Sequence, residues 1–299
     1  MTSLISDPDL TQVLGTADVD DLGVLIDHIT DKGEGRVSLS SDTCKTLTDA
    51  KSTRRIDEPT RALIAEELQR FGGNSLFNLM RGGAGVPYKE VLCDVASHVK
   101  ADFKLKNDCE QIEIAILEAV LAQSFAKMSE QEKADLFAEF GGTYKSGAGP
   151  AVMAALLAAI KASGFGAYKL AAVVANAVAK AILGRGLAFG ATAGLMRGIS
   201  VSAGPIGWAI TAIWTAFDLA SPAYRVTVPC VIQIAYMRQK ATYRSSLTYK
   251  APAEAGKNRS CPTCKAPVEA GKKFCGECGS PLALLLPQAD AGKSAFTSN

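Results

Sequence analysis

Residues 57–73 read DEPTRALIAEELQRFGG, an acidic turn followed by an apolar-periodic segment and a glycine pair. Asp57-Glu58-Pro59 is typical of a helix start, because carboxylates are favoured in a first turn and proline lacks an amide hydrogen that is unpaired there anyway. Glycine is a weak helix former, so the closing pair indicates a stop. The pattern predicts an amphipathic helix over residues 51–70 that ends before Phe71-Gly72-Gly73.

The segments on both sides repeat this helical signature. Asp7-Pro8-Asp9 indicates another helix start, after which Leu10, Val13 and Leu14 share one face. Ser129, with Glu132 three residues later, is a plausible capping box, the reciprocal pairing that opens many helices. Further helices are predicted over residues 18–29, 87–99, 108–127 and 129–140.

Charge divides the 299-residue chain into two unlike halves. Residues 1–139 hold 25 acidic and 15 basic side chains, whereas residues 140–299 hold 5 acidic and 17 basic ones. Between Phe140 and Phe217, 78 residues contain no Asp or Glu at all. This asymmetry favours contact of the basic half with phosphates, either of lipid or of nucleic acid.

Glycines recur at intervals of four in the acid-free centre, at Gly186, Gly190, Gly194 and Gly198. On a helix they would form a stripe without side chains, at a cost of about 1 kcal/mol for each glycine relative to alanine. Close approach of another backbone would offset that cost, as in small-xxx-small membrane helices. The alternative is tight packing inside a soluble core. Gly198–Phe217 is uncharged, but Gly204-Pro205 interrupts it, so we predict two helical pieces there and no clean transmembrane span.

The C-terminal region carries two Cys-x-x-Cys knuckles, Cys261-Pro262-Thr263-Cys264 and Cys275-Gly276-Glu277-Cys278. Four thiolates at this spacing are typical of a tetrahedral zinc site, and they leave no open position for catalysis. So small a segment buries little apolar surface, so the metal supplies its folding energy. We predict a zinc ribbon with Cys261, Cys264, Cys275 and Cys278 as ligands, acting as an adaptor.

Catalytic signatures are missing elsewhere. The sequence has no GxSxG and no HExxH, and Gly292-Lys293-Ser294 lacks the first glycine of a P-loop. The histidines, His28 and His98, fall on predicted helices, and the four remaining cysteines are interpreted as buried small hydrophobes. We therefore predict that the protein is not an enzyme.

The fold class predicted is mostly α, with a helical N-terminal domain, a Gly/Ala-rich helical centre and a small C-terminal four-cysteine zinc ribbon. Six segments are expected: an N-terminal helical region (1–50), a helical domain (51–140), the Gly/Ala-rich region with a basic helix (141–250), a linker (251–260), the zinc ribbon (261–283) and a disordered tail (284–299).

Two motifs resemble a known family. LIAEELQRFGGNS at residues 63–75, and AYRVTVP at residues 223–229 continuing through IQIA at residues 232–235, are similar to the YaaW-like bacterial proteins. Asp7-Pro8-Asp9-Leu10 and Gly33-Glu34-Gly35-Arg36 are similar too, so the resemblance covers about residues 5–240. That family is sometimes grouped with ubiquinol–cytochrome c chaperones and has no established activity. The resemblance implies a related fold, to which the zinc ribbon is an addition.

Three functional hypotheses follow. The first is a membrane-associating protein, cytoplasmic and peripheral to the inner membrane, that meets an anionic surface and forms homo-oligomers through the glycine stripe, as a stress or defence effector would. The second is a soluble assembly factor or chaperone-like adaptor that binds protein clients through the ribbon. The third, nucleic-acid binding, is the least favoured.

Overall fold

The computed structural model describes residues 5–73, 85–140, 142–146, 151–162, 165–187 and 223–250, together with residues 259–260, 263–268, 275 and 277–280 near the C-terminus. The chain divides into two compact units, Met1–Arg244 and Ser245–Asn299. The described residues form ten helices and one two-stranded antiparallel sheet, which confirms the mostly α fold class. The helices are α1 (Pro8–Thr16), α2 (Val19–Thr30), α3 (Ser41–Ser52), α4 (Glu58–Gly73), α5 (Tyr88–His98), α6 (Cys109–Phe125), α7 (Glu130–Glu139), α8 (Ala151–Ala162), α9 (Gly166–Leu183) and α10 (Tyr224–Lys250), and the strands are β1 (Arg259–Ser260) and β2 (Pro267–Val268).

Side-chain caps fix several of the helix starts. The Asp7 carboxylate accepts from the Leu10 amide at 3.1 Å and so opens α1. The predicted capping box is present at α7, where Ser129 and Glu132 each pair with the backbone of the other. Asp108 and Gln111 form a second box at α6. These local bonds satisfy amides that have no partner inside the helix.

Helix α4 differs from its sequence prediction at both ends. Residues 51 and 52 complete α3, and α4 begins at Glu58 and continues through Phe71-Gly72-Gly73, so the predicted stop before Phe71 is wrong. The reason is tertiary contact. A β-carbon at Gly72 would collide with the side chain of Val91 on α5 and would lie 3.1 Å from Cγ2 of Val86. Gly72 therefore allows close packing of α4 against α5.

Helix α9 is the central element of the first unit, with contacts to α2, α6 and α8. Among the described residues it is the one helix long and apolar enough to cross a membrane by length and composition, yet 72% of it is buried inside the protein. A core helix passes the same test, so the feature does not by itself indicate a membrane span.

The chain after α9 bears on the predicted glycine stripe. Gly184 ends α9 in the left-handed conformation, with φ 72°. Gly186 follows outside the helix, where an added β-carbon would lie 2.6 Å from Oδ1 of Asn176. The same oxygen accepts from the Leu187 amide at 3.0 Å. Glycine at position 186 thus allows the chain that follows α9 to pack closely against this helix. Gly190, Gly194 and Gly198 lie outside the described residues, as does the predicted bend at Gly204-Pro205.

Helix α10 begins at Tyr224, so Pro229 lies inside it. Its first turn is held by the Ala223 carbonyl, which accepts from the amides of Val226 and Thr227 at 3.0 and 2.9 Å. Residues 226–237 are buried almost without interruption. This helix brings a row of cations back to the first helices of the chain.

Candidate functional site

Three of the four predicted zinc ligands lie together in the second unit. The sulfurs of Cys264, Cys275 and Cys278 are all within 4.8 Å of one another, and those of Cys264 and Cys275 are 3.6 Å apart. Four thiolates at zinc's usual bond length of about 2.3 Å would stand about 3.8 Å apart, so this spacing fits a tetrahedral site. The trio could therefore bind a metal ion. Cys261 lies outside the described residues.

The second knuckle shows how the backbone brings these sulfurs together. Gly279 has φ 70°, a conformation that favours glycine. It donates its amide to the Cys275 carbonyl at 2.9 Å, while the Cys275 amide donates to the Ser280 carbonyl at 2.9 Å. Cys275 is buried, whereas Cys264 and Cys278 are exposed. A turn closed in this way points both thiols of a Cys-x-x-Cys pair to one side.

A buried ionic cluster joins four helices of the first unit. Arg238 on α10 donates to both oxygens of Glu113 on α6, from Nε at 2.8 Å and from Nη2 at 3.0 Å. It also donates to Asp9 on α1, with Nη1 3.1 Å from Oδ1. The Tyr88 hydroxyl on α5 donates to Glu113 at 2.8 Å. The Glu113 side chain is only 1% exposed.

Burial and pairing compete in this cluster. Burial raises the pKa of Glu113 above its usual range, although the bonds from Arg238 and Tyr88 act in the opposite direction. Burial works against the charge of Arg238, yet its bonds to Glu113 and Asp9 raise the pKa of the guanidinium. The half-buried Cys109 thiol beside Asp9 has its pKa raised by burial to about 12, so it is protonated at neutral pH.

A second cluster involves Lys240 and Arg244, two and six residues after Arg238 on α10. The Lys240 ammonium is 2.7 Å from Asp21 and 2.9 Å from Asp18, and Arg244 is 2.8 Å from Asp18. The bond from Arg244 lowers the pKa of Asp18 to about 2, whereas burial raises the pKa of Asp21. The ion pairs of the two clusters hold α10 against α1 and α2.

Cations of the acid-free centre also pair with carboxylates of the first half. Lys169 lies 3.1 Å from Glu139, Lys161 lies 3.2 Å from Glu118, and Arg185 contacts the buried Asp27. Together with Arg238, Lys240 and Arg244, six basic residues of the second half are thus paired inside the first unit. These six are among the 17 basic residues of the second half, so the fold pairs about a third of them with carboxylates of the first half. The sequence analysis did not predict these ion pairs. The charge asymmetry between the two halves and the acidic Asp7-Pro8-Asp9 motif were the features that could have indicated them.

Comparison with known proteins places the chain. Residues 61–232 match the sequence model of the Ubiquinol-cytochrome C chaperone family. The chain belongs to this family. The chain is also similar to a UPF0174 protein of Helicobacter pylori strain J99, 43% identical over 178 residues that cover 59% of this chain and 70% of the relative. The UPF0174 protein YaaW of Escherichia coli K12 is 32% identical over 179 residues, which again cover 59% and 70%. No solved structure matches.

Membership of the Ubiquinol-cytochrome C chaperone family confirms the resemblance drawn from the two sequence motifs. The interval shared with the family contains Tyr88 and Glu113 but stops short of Asp9 and Arg238. The cysteine cluster also falls outside it. In this member of the Ubiquinol-cytochrome C chaperone family, a cysteine cluster that could bind a metal ion therefore accompanies the region shared with the family.

Proposed function

We propose that the chain is a non-enzymatic, cytoplasmic assembly factor or chaperone-like adaptor that binds protein clients. Its family membership supports this function. The observation that carries it is the pairing of second-half cations with first-half carboxylates. The largely buried cations Lys169, Arg238 and Lys240 are in this way withdrawn from lipid headgroups and nucleic acid, both of which need free Lys and Arg.

The C-terminal unit is the proposed client-binding module. Cys261, Cys264, Cys275 and Cys278 would hold zinc as four thiolates, and the three described sulfurs have the spacing that this needs. The chemistry of zinc here is structural, because a closed site has no position for substrate. The ribbon would present exposed knuckle residues such as Lys265 and Glu277 to a client.

The test compares zinc content and client capture. We expect about one zinc per chain in the full-length protein, and none in a Cys264→Ser/Cys278→Ser double variant. Proteins crosslinked in cells to the wild type should be lost with the double variant. Cys93→Ser, outside the cluster, is the matched control and should keep both zinc and clients. Unchanged crosslinks in the zinc-free variant would end the proposal that the ribbon binds clients.

Membrane association is the second candidate. Helix α9 is long and apolar, and the neighbouring α8 exposes Ala154, Ala155 and Ala158 on its outer face. Flotation with anionic vesicles tests it, using the full chain and a Gly190→Leu/Gly194→Leu variant. Flotation that this variant loses would support a membrane-bound oligomer built on the glycine stripe. If the wild type is absent from the vesicle fraction, membrane association is ruled out and the adaptor function is the remaining candidate.

A further inference from the structure

A groove of about 550 Å³ runs between α1 and α4 in the first unit. Its volume falls within the roughly 300–1,000 Å³ that is usual for ligand sites. The floor consists of small or apolar residues, and polar residues stand along the rim. The floor is lined by Leu14, Gly15, Ile56, Ala62 and Ala65.

Small side chains make this surface concave. A β-carbon added at Gly15 would meet no other atom within 4 Å, so the space above it is open. Arg61 closes one side, but its guanidinium donates to the carbonyls of Leu14 and Gly15 at 2.9 and 2.5 Å. Arg61 thereby caps the end of α1, where helix carbonyls attract positive charge. Its charge is already engaged.

The rim is negatively charged. Asp7, Asp57 and Glu58 all line the groove, and Arg61 is the one cation among its lining residues. Asp7 and Asp57 accept bonds from the amides of Leu10 and Thr60, both at 3.1 Å, as helix caps do. The bond from the Thr60 hydroxyl lowers the pKa of Asp57, so this carboxylate stays ionised at neutral pH. Glu58 is exposed in the first turn of α4.

We propose that this groove binds a short segment of a protein client in which apolar side chains are flanked by lysine or arginine. The apolar side chains would lie over Gly15, Ala62 and Ala65, and the cations would meet Asp57 and Glu58. Apolar burial supplies affinity here, and the complementary charges supply selectivity. The inference rests on the proposed client-binding function but assigns it a surface that does not involve the ribbon.

The probe is a fluorescein-labelled peptide with the sequence Lys-Lys-Leu-Leu-Lys-Lys, titrated with the full-length protein in an anisotropy assay. Gly15→Leu places a side chain in the groove from a position where an added β-carbon meets no atom within 4 Å. Glu58→Lys reverses the charge of the rim. Asp42→Lys is the matched control, because Asp42 is also an exposed acid in a helix's first turn, on α3 and away from the groove.

We expect Gly15→Leu and Glu58→Lys each to weaken peptide binding at least about tenfold, and Asp42→Lys to leave it within about twofold. A Glu-Glu-Leu-Leu-Glu-Glu peptide should not bind. Equal binding by the Gly15→Leu variant, or by the acidic peptide, would overturn the proposal. So would a wild-type dimer that Gly15→Leu dissociates in sedimentation, because the occupant would then be a second copy of the chain.

The same titration on the Cys264→Ser/Cys278→Ser variant separates the two proposals. If it binds the peptide as the wild type does, the groove is supported whether or not the ribbon captures clients. If peptide binding disappears with the zinc, the groove is not an independent site and the inference fails.

Discussion

At Glu113, burial and ion pairing act on one carboxylate in opposite directions. Its side chain is 1% exposed, and its two oxygens receive three hydrogen bonds, two from Arg238 and one from Tyr88. Such a pair adds little net stability over an apolar pair of the same size, but removing one partner leaves a buried charge unpaired. The cluster therefore favours one arrangement of its helices over others.

Replacing Arg238 with methionine should destabilise the first unit by about 3–5 kcal/mol, because Glu113 would remain buried without its counter-ion. The Arg238→Met/Glu113→Gln double variant should lose less than that, since glutamine can still accept from Tyr88. Arg244→Met is the control on the same helix. Arg244 is 44% exposed, so its loss should cost about 1 kcal/mol or less. Urea denaturation followed by circular dichroism measures all three, and a double variant that is no more stable than Arg238→Met would contradict the coupling.

His28 makes stability depend on pH. Its Nδ1 is buried without a hydrogen-bond partner, and burial lowers the pKa of the imidazole from 6.5 to about 3. A lowered pKa means that the folded protein does not bind a proton at a pH where the unfolded chain does. The stabilising effect is complete above pH 6.5 and is lost as the pH falls toward 3.

Between pH 7 and pH 5, the wild type should therefore lose about 2 kcal/mol more unfolding free energy than a His28→Leu variant. The effect of His98 is present in both proteins and cancels. Urea denaturation curves at the two pH values give the difference directly. Identical pH dependence in the two proteins would show that His28 takes up a proton in the folded state.

At the scale of elements, α4 and α5 show how contact decides where a helix ends. The Phe71-Gly72-Gly73 sequence carries a local stop signal, because glycine is unfavourable in a helix by about 1 kcal/mol. The helix nevertheless includes both glycines, and Gly72 lies directly against Val91. Packing between helices offsets the local penalty.

Gly72→Ala should destabilise the protein by about 1–3 kcal/mol even though alanine is the better helix former, because its methyl group overlaps Val91. Val91→Ala should partly restore stability in the double variant by making room. Thermal denaturation of the two single variants and the double variant tests this. If the Gly72→Ala protein is more stable than the wild type, α5 can move away from α4 without loss of stability.

How much of the structure can be predicted from the sequence depends on how far apart the interacting residues lie along the chain. The box at Ser129 and Glu132 spans one helical turn, and the spacing of the cysteines constrains their sulfurs locally, so both could be predicted. The bond between Arg238 and Asp9 spans 229 positions, and no periodicity in the chain indicates it. The same holds for Gly72 and Gly186, whose role is set by Val91 and Asn176 and not by their own neighbours.

At the scale of the whole molecule, the chain consists of two units with different sources of stability. The first unit has a large apolar core crossed by ionic clusters. The second has a two-stranded sheet of two residues per strand and a cysteine trio. If the cysteines hold zinc as proposed, the metal supplies the folding energy that so small a segment cannot gain from apolar burial.

Chelation should thus act on one unit only. After zinc removal, limited proteolysis is expected to cut within residues 251–299 and to leave a resistant fragment that ends near Lys250, with helical circular dichroism retained. Mass spectrometry of the fragments, with and without chelator, measures this. Cleavage that is the same in both conditions would contradict a metal-dependent second unit.

The ion pairs between α10 and the first helices also determine when these helices can pack together during synthesis. Asp21 and Lys240 are 219 positions apart, and Asp9 and Arg238 are 229 apart. A ribosome that adds roughly 5–20 residues per second needs roughly 10–50 s to cover that interval. Throughout this time the nascent chain carries Asp9 and Asp21 without their counter-ions on α10. The contacts of α1 and α2 with α10 can therefore form only after residues 238–240 have been synthesised, so the last helix that the structure describes completes the packing of the first ones.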